Sequence, residues 1–168
     1  MSKLILMCGI PGSGKSTYAK AMMMEGDVYV SRDEIRFSMV KENEPYFSRE
    51  DEVFETFINS IVINLRDGKT VWADATHLNR KSRLKVLHEI EQYLMPHEIQ
   101  ILFMKTPLEQ CIERNENRKG TRAYVPQEVI HNMYRALACP HYYEIPVGYS
   151  KIWVKEPDTA IYILNEGE

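Results

Sequence analysis

The sequence contains few of the features that would place a protein in a membrane or outside the cell. Only three of its 168 residues are cysteines, Cys8, Cys111 and Cys139, and no C-x-x-C pair is present. An odd number of widely separated cysteines favours reduced, packed thiols in a cytoplasmic protein. No apolar run approaches the roughly 20 residues that span a bilayer, and the opening M-S-K-L-I-L-M-C-G lacks the organisation of a signal peptide. We therefore expect a cytoplasmic protein without membrane contact.

The chain also lacks an excess of positive charge. Its 21 lysines and arginines against 24 acidic residues give a net charge of −3. Proteins that coat long duplex nucleic acid usually carry a broad basic face, which this composition does not supply. A short strand or a small anionic ligand in a local basic pocket remains compatible with it. Five scattered histidines show no spacing typical of a metal site.

No repeat, low-complexity tract or linker rich in proline, glycine and serine divides the chain. The length and the 44% hydrophobic share suit one domain with a full-sized core. We therefore expect residues 1–168 to form a single domain.

Apolar runs and helical spacing alternate along the chain. The predicted buried strands are residues 3–8, 28–30, 70–74, 98–104 and 150–154. Such alternation predicts a three-layer α/β domain, with a mainly parallel sheet of about five strands and helices on both faces. In such sheets ligands bind beyond the carboxyl ends of the strands.

Three helix boundaries have recognisable signals. Apolar residues at three- and four-residue spacing predict a helix that begins at the N-cap candidate Ser48 and ends at Gly68. Thr106 and Glu109 have capping-box spacing around a proline, which predicts a second helix start. Pro126 opens a late helix.

The segment after the first strand has a pattern with a defined chemistry. Residues 9–17, G-I-P-G-S-G-K-S-T, match G-x-x-x-x-G-K-[ST] between a predicted strand and a predicted helix. Glycines let the backbone N–H groups surround phosphate oxygens, and the helix start adds positive potential. We expect Lys15 to reach the β- and γ-phosphates and Ser16 to bind Mg²⁺. The predicted nucleotide-binding residues of this loop are Gly9, Pro11, Gly12, Ser13, Gly14, Lys15, Ser16 and Thr17.

The stretch S-R-D-E-I-R (31–36) follows the second strand. Ser31 and Glu34 have capping-box spacing, so a helix begins here. Asp33 and Arg36 share one face of that helix, beside the phosphate loop. They are either an ion pair on a capped helix, or a carboxylate that orients or deprotonates an attacking hydroxyl and a cation for the acceptor or the phosphoryl group. We favour the catalytic interpretation.

Two further polar segments follow the third strand. Asp74 ends that strand, where a carboxylate can reach a metal through water or steady a catalytic cation; an Asx turn is the alternative. The run N-R-K-S-R-L-K (79–85) places four cations at a helix start, which the helix dipole opposes. A functional role and a solvated face are equal alternatives for this run.

Residues 113–126, E-R-N-E-N-R-K-G-T-R-A-Y-V-P, leave a helix through polar residues, a glycine and a proline. This pattern is typical of a lid that carries arginines to phosphates, with a plain surface loop as the alternative. Its cations are Arg114, Arg118, Lys119 and Arg122. Tyr124 is a candidate for stacking on a base or for packing.

Together these segments resemble the phage-type polynucleotide 5′-hydroxyl kinases, within the small P-loop kinases. The loop 9–17, the stretch 31–36, D-A-T-H-L-N-R-K-S-R, the lid and the ending G-Y-S-K-I-W-V occur in the family's order, so that the resemblance extends to residue 154. It implies transfer of the γ-phosphate of ATP, with Mg²⁺, to the 5′-hydroxyl end of a short or single-stranded nucleic acid.

The resemblance also implies residue roles. Lys15 and Ser16 hold phosphate and magnesium, Asp33 is the general base, and Arg36 contacts the acceptor or the phosphoryl group. Asp74 and Thr76 support the acceptor. Arg118 is the lid arginine, and it binds the nucleotide together with Arg114.

The sequence departs from the family pattern at three points. D-A-T-H-L-N has one residue more before its asparagine, which affects Thr76 as an acceptor contact. The lid is longer by one residue, which makes Lys119 a rival to Arg118. No length remains for the phosphatase domain that often accompanies such kinases. A kinase of a small hydroxylated metabolite or nucleoside, and a non-enzymatic nucleotide switch, are the alternative functions.

Overall fold

A sheet with helices on both faces forms the centre of the computed structural model, which describes residues 1–144 and 150–164. The strands are β1 (Lys3–Cys8), β2 (Val28–Ser31), β3 (Thr70–Asp74), β4 (Glu98–Met104), β5 (Ser150–Lys155) and β6 (Tyr162–Ile163). The helices are α1 (Lys15–Met22), α2 (Arg32–Met39), α3 (Glu50–Arg66), α4 (Arg80–Glu91), α5 (Leu108–Glu116) and α6 (Gln127–Ala136), followed by a 3₁₀ turn at Tyr142–Glu144. The predicted three-layer α/β class is confirmed.

The strand order is β2-β3-β1-β4-β5-β6, and the first five strands are parallel. In the register of the sheet, Asp74 lies beside Met7 of β1 on one side and Ser31 of β2 on the other. The carboxyl ends of these three strands therefore meet at one edge, which brings the segments after them together.

Alternation along β1 divides the core between the two faces of the sheet. Leu4, Leu6 and Cys8 belong to the cluster formed with α3 and α4, whereas Ile5 and Met7 pack in the cluster that contains Ala19 of α1. Because both faces are covered, β1 is apolar from Leu4 to Cys8, as the continuous run in the sequence predicts.

The sheet has one strand more than expected. β6 pairs antiparallel with β5 and contains only two residues, both exposed. So short and exposed a segment carries no periodic signal in the sequence. Gly148 and Tyr149, at the start of the motif that ends in β5, lie outside the described residues. The longest described helix, α3, has 17 residues, and none of the helices in ranges 1–144 and 150–164 has the length and apolarity to cross a bilayer.

Two predicted helix caps are wrong. Ser48 lies in a turn, where its N–H donates to the Pro45 carbonyl, and the N-cap of α3 is Arg49. Thr106 does not cap α5, because its hydroxyl donates instead to the carbonyl oxygen of Ser13 at 2.8 Å. Both predictions were based on local spacing, and in the second case a contact distant in sequence takes the hydroxyl.

Arg83 fits neither alternative for the cationic run 79–85. Its side chain is fully buried, and it donates from Nε and Nη2 to the two carboxylate oxygens of Glu144, at 2.6 and 2.8 Å. Its Nη1 donates to the carbonyls of His77 and Ala138. This bidentate pair joins α4 to the 3₁₀ turn, so Arg83 is structural.

The cysteines divide into two groups. Cys8 and Cys111 are buried, as expected of packing thiols, and burial raises the pKa of the Cys8 thiol to about 12. Cys139 is exposed, so the expectation that all three pack in the interior is wrong for this residue.

Candidate active site

A cavity of about 660 Å³ opens at the carboxyl edge of the sheet. Its walls come from the phosphate loop, the start of α2, the residues after β3, the chain between α2 and α3, and the segment between α5 and α6. This is the position at which parallel sheets bind ligands, and the volume is that of a small-molecule site.

The phosphate loop approaches α5 so closely that only glycine fits at one position. Gly12 has a φ of 81°, and a Cβ there would collide with the Cys111 carbonyl oxygen. Arg114 of α5 donates to the Gly12 carbonyl at 3.1 Å, and the Thr106 hydroxyl donates to the next carbonyl of the loop, that of Ser13. These bonds hold loop carbonyls on the side of α5.

Lys15 is held in the centre of the loop. Its side-chain ammonium donates to the Gly9 carbonyl at 2.9 Å and to the Ile10 carbonyl at 3.2 Å, and the residue is buried. An ammonium has three donors, so these two bonds leave one N–H for an anionic oxygen. The buried cation carries no carboxylate partner in these bonds, which suits it to meet phosphate charge.

Some of the predicted nucleotide-binding residues of the loop line the cavity, and the others do not. The cavity wall contains Pro11, Gly12, Gly14, Lys15 and Ser16. Gly9 and Ser13 are buried, and Thr17 is exposed; these three do not contribute to the wall. A Cβ on Gly9 would lie 2.5 Å from the Ser13 hydroxyl oxygen, so the two residues shape the turn from behind.

The donors present fit a nucleotide with Mg²⁺. A glycine-rich turn at the start of α1 presents N–H groups to phosphates, and the hydroxyl of Ser16 and the carboxylate of Asp74 line the same cavity. Mg²⁺ prefers such oxygen ligands and is usually bound through one or two of them together with substrate phosphates and water. The described part of the chain contains no separate cluster of three His, Cys, Asp or Glu residues able to hold a metal.

The stretch 31–36 forms both the cap and an ion pair. The Ser31 hydroxyl accepts from the Glu34 N–H at 3.2 Å and caps α2. Asp33 accepts from Arg36 through Oδ1, which also accepts from the Tyr46 hydroxyl at 2.7 Å. Asp33 remains 62% exposed, whereas the Arg36 side chain is 5% exposed. Both residues line the cavity.

Sequence reasoning missed the residue that orients Arg36. Glu50, at the start of α3, accepts from Arg36 Nε at 3.3 Å and from Nη2 at 2.8 Å, and it also pairs with Arg32. Burial lowers the pKa of Arg36, but the bond to Glu50 and the neighbouring charges outweigh it and raise that pKa. No local pattern marks Glu50, because α3 begins with three acids that would suit any helix dipole.

Asp74 is oriented by a neighbouring strand. It accepts a hydrogen bond from the Tyr29 hydroxyl of β2. Burial and the nearby Asp74 charge raise the pKa of Tyr29, so the phenol stays protonated as a donor. Asp74 and Thr76 both line the cavity, and the Thr76 carbonyl accepts from the Gly9 N–H at 3.0 Å. Thr76 therefore reaches the cavity despite the additional residue in its motif.

The structure distinguishes the two rival lid cations by position. Arg118 lines the cavity, whereas Lys119 is 72% exposed and pairs with Glu116 at 3.7 Å on the outside. The segment 113–126 begins inside α5, which extends to Glu116, so its non-helical part is 117–126. Buried Asn115 joins the base of this part, donating to the Val125 carbonyl at 2.7 Å and accepting from its N–H at 3.0 Å.

The far side of the lid contacts α2. Arg122 donates to the carbonyls of Phe37 and Val40 and lies over the Phe37 ring at 4.8 Å. Tyr124 also lines the cavity, and its hydroxyl donates to Glu116 at 3.3 Å. The segment 117–126 therefore extends from α5 to α2 along one side of the cavity.

The fold and the loop define the class of P-loop kinases, which are phosphotransferases. The AAA domain family matches residues 4–140, and the chain belongs to that family. An adenylate kinase of Thermococcus kodakarensis is 37% identical over 68 residues, 36% of this chain and 30% of its own length. A protein of Autographa californica nuclear polyhedrosis virus, named as a bifunctional polynucleotide kinase/RNA ligase, is 26% identical over 162 residues, which are 87% of this chain and 22% of that protein.

Solved structures share the fold. A chain of the Pnkp1/Rnl/Hen1 RNA repair complex has a TM-score of 0.68 and 25% identity, over 81% of this chain and 44% of that one. A sugar kinase of Janibacter sp. HTCC2649 has a TM-score of 0.61 at 18% identity, over 93% and 86% of the two chains. The chain spans less than half the length of the adenylate kinase, of the viral protein and of the chain from the RNA repair complex. The resemblance to polynucleotide kinases within the P-loop class is confirmed.

Proposed function

We propose that this protein transfers the γ-phosphate of ATP to the 5′-hydroxyl end of a nucleic acid strand. The observation that carries the proposal is the placement of Asp33 and Arg36 in one cavity with the phosphate loop and the lid arginine Arg118. A non-enzymatic nucleotide switch has no acceptor hydroxyl, so it would not require Asp33 and Arg36 at this position.

Asp33 is the base in this reaction. Its two described hydrogen bonds both reach Oδ1, which leaves Oδ2 to accept from the acceptor hydroxyl. As the acceptor oxygen forms its bond to the γ-phosphorus, the bond from that phosphorus to the leaving oxygen of ADP breaks. The hydroxyl proton passes to the Asp33 carboxylate and then to water. Arg36, fixed by Glu50, supplies a positive charge beside the acceptor and the phosphoryl group.

The cations around the cavity meet the charge of the transferred group. Lys15 holds the β- and γ-phosphate oxygens, and Arg118 approaches the phosphates from the lid. Mg²⁺ bound at Ser16 would neutralise phosphate charge and polarise the transferred group. Such fixed donors act on charge that develops in the transition state, which accelerates transfer without tightening the ground state.

A local basic pocket supports a nucleic acid acceptor. Six cationic residues and four carboxylates line the cavity, although the whole chain has a net charge of −3. This surplus of positive charge would balance part of the charge on the phosphates of a nucleotide and of a short strand. The polynucleotide kinase named among the relatives adds support, while the sugar-kinase fold keeps a small hydroxylated metabolite as the second candidate.

The test offers γ-labelled ATP with 5′-hydroxyl oligonucleotides of DNA and RNA, nucleosides and sugars. We expect label on oligonucleotides and none with the Lys15→Ala variant, since that lysine meets the charge of the transferred phosphate. Label on sugars or nucleosides alone would replace the proposal with the second candidate. Transfer by Lys15→Ala at the wild-type rate would end the kinase interpretation altogether.

A further inference from the structure

Three aromatic side chains stand at the end of the cavity next to Asp33 and Arg36. We call Phe37, Tyr46 and Phe47 the aromatic shelf, and all three line the cavity. Phe47 is 64% exposed and Tyr46 is 41% exposed. Aromatic rings contribute strongly to stability when they are buried, so rings left in water inside a ligand cavity indicate a surface that a ligand covers.

The shelf is held in place without a ligand. The Tyr46 ring contacts the rings of Phe47 and Phe37 edge to face, with centroid distances of 4.7 and 6.4 Å. The Arg36 guanidinium lies 4.4 Å from the centre of the Tyr46 ring, and the Tyr46 hydroxyl bonds to Arg36 and Asp33. A ligand that covers such fixed rings loses little binding energy to ordering them.

The position of the shelf defines what covers it. Tyr46 donates to the same Asp33 oxygen that accepts from Arg36, so a ligand on the shelf is a direct neighbour of the acceptor hydroxyl. Sugars and polyols are oriented by several convergent polar groups. Here the polar atoms already bond to one another, with Arg36 joined to Glu50 and Tyr46 joined to Asp33. Asp33 Oδ2 is assigned to the acceptor hydroxyl. Among the three rings Phe47 offers the most open surface, because Arg36 and Arg122 already lie over the Tyr46 and Phe37 rings.

A nucleobase has the matching chemistry. Bases stack on aromatic side chains whatever their sequence, because every base has a π-face. In a strand whose 5′-hydroxyl lies at Asp33, the base closest to the shelf is that of the terminal nucleotide. We propose that the aromatic shelf stacks this terminal base, so that the acceptor is recognised by base stacking at its 5′ end. This rests on the proposed function and adds the feature by which the site distinguishes a strand end from a sugar.

The experiment removes each partner of the stack in turn. Phe47→Ala and wild type are compared on a 5′-hydroxyl oligonucleotide and on the same oligonucleotide lacking the base of its terminal nucleotide. We expect Phe47→Ala to raise the KM of the complete strand by about 5- to 150-fold, with kcat and the KM of ATP nearly unchanged. Wild type should lose the same factor on the abasic strand, and Phe47→Ala should lose nothing more there.

Two further variants separate stacking from structure. Phe47→Tyr keeps a ring and should retain the wild-type KM. Tyr93→Ala removes another exposed aromatic ring, which lies outside this cavity beside a separate groove, and should change no constant. If removing the terminal base raises the KM of Phe47→Ala as much as it raises the KM of wild type, the ring and the base act independently and the shelf proposal is overturned. It is also overturned if Phe47→Ala alters kcat alone. The kinase proposal stands in both cases. If wild type phosphorylates no oligonucleotide, both proposals fall.

Discussion

The Arg36 guanidinium is oriented by Glu50, a carboxylate 14 residues further along the chain that accepts from both Nε and Nη2. Arg36 is almost fully buried, so the direction of its guanidinium and the compensation of its charge depend on this partner. The two residues lie on different helices, α2 and α3. Their ion pair therefore joins the two helices beside Asp33.

Glu50→Gln should therefore impair catalysis through Arg36. The amide keeps the size of the side chain but removes its charge, and a misplaced group near the chemistry can cost about 10²-fold in rate. A partly uncompensated buried cation should also lower the free energy of unfolding by about 1–3 kcal/mol. Single-turnover rates and melting curves measure the two effects. Glu52→Gln, which removes the exposed partner of Arg49, is the control and should affect neither by much. A wild-type rate in Glu50→Gln would show that Arg36 needs no orienting carboxylate.

Asp33→Asn and Ser31→Ala should have opposite effects. The amide of Asp33→Asn preserves size and most bonding capacity, so the fold should survive while kcat falls by about 10²–10⁴-fold, as for a lost general base. Ser31→Ala removes the cap of α2 and should cost about 1 kcal/mol of stability with most activity retained. Melting curves and transfer rates on both variants test this. Full activity in Asp33→Asn would leave its pair with Arg36 as a structural contact only.

Alanine substitutions of the two lid cations, Arg118 and Lys119, should have very different effects on kcat. Arg118→Ala should lower kcat far more than it weakens ATP binding, since lid arginines contribute about 10³–10⁵-fold in the strongest cases. Lys119→Ala removes a cation that faces outward and pairs with Glu116, so we expect little change. Steady-state kinetics and ATP titrations of the two variants measure this. A large defect in Lys119→Ala with a normal Arg118→Ala would mean that Lys119, and not Arg118, is the cation that acts in transfer.

Of the ion pairs in the described part of the chain, the buried pair of Arg83 and Glu144 should be the most costly to break. Glu144→Ala leaves the fully buried guanidinium without its carboxylate, and we expect a loss of about 3–5 kcal/mol in unfolding free energy. Glu156→Ala breaks the exposed pair with Lys105 and should cost far less, because solvent screens that pair. Denaturant unfolding compares the variants. Equal losses in the two proteins would contradict the structural role of Arg83.

The sequence predicts those parts of the molecule whose cause is local. The first five strands, the glycine-rich loop and the Ser31 cap follow from periodicity, turn chemistry and spacing within a few residues. Glu50, Tyr46 and the burial of Arg83 could not be predicted, because each depends on a contact with a residue at least ten positions away. Thr106 shows the same limit, since its spacing suits a cap but its hydroxyl bonds to a loop 93 residues earlier.

Adjacent residues of α5 hold opposite walls of the cavity. Arg114 donates a hydrogen bond to the Gly12 carbonyl of the phosphate loop, and the next residue, Asn115, donates one to the Val125 carbonyl at the end of the lid. A rotation of this single helical turn would pull on both walls at once. One helical turn is thus a shared anchor for the phosphate loop and for the end of the lid, so a change in its position would alter both contacts.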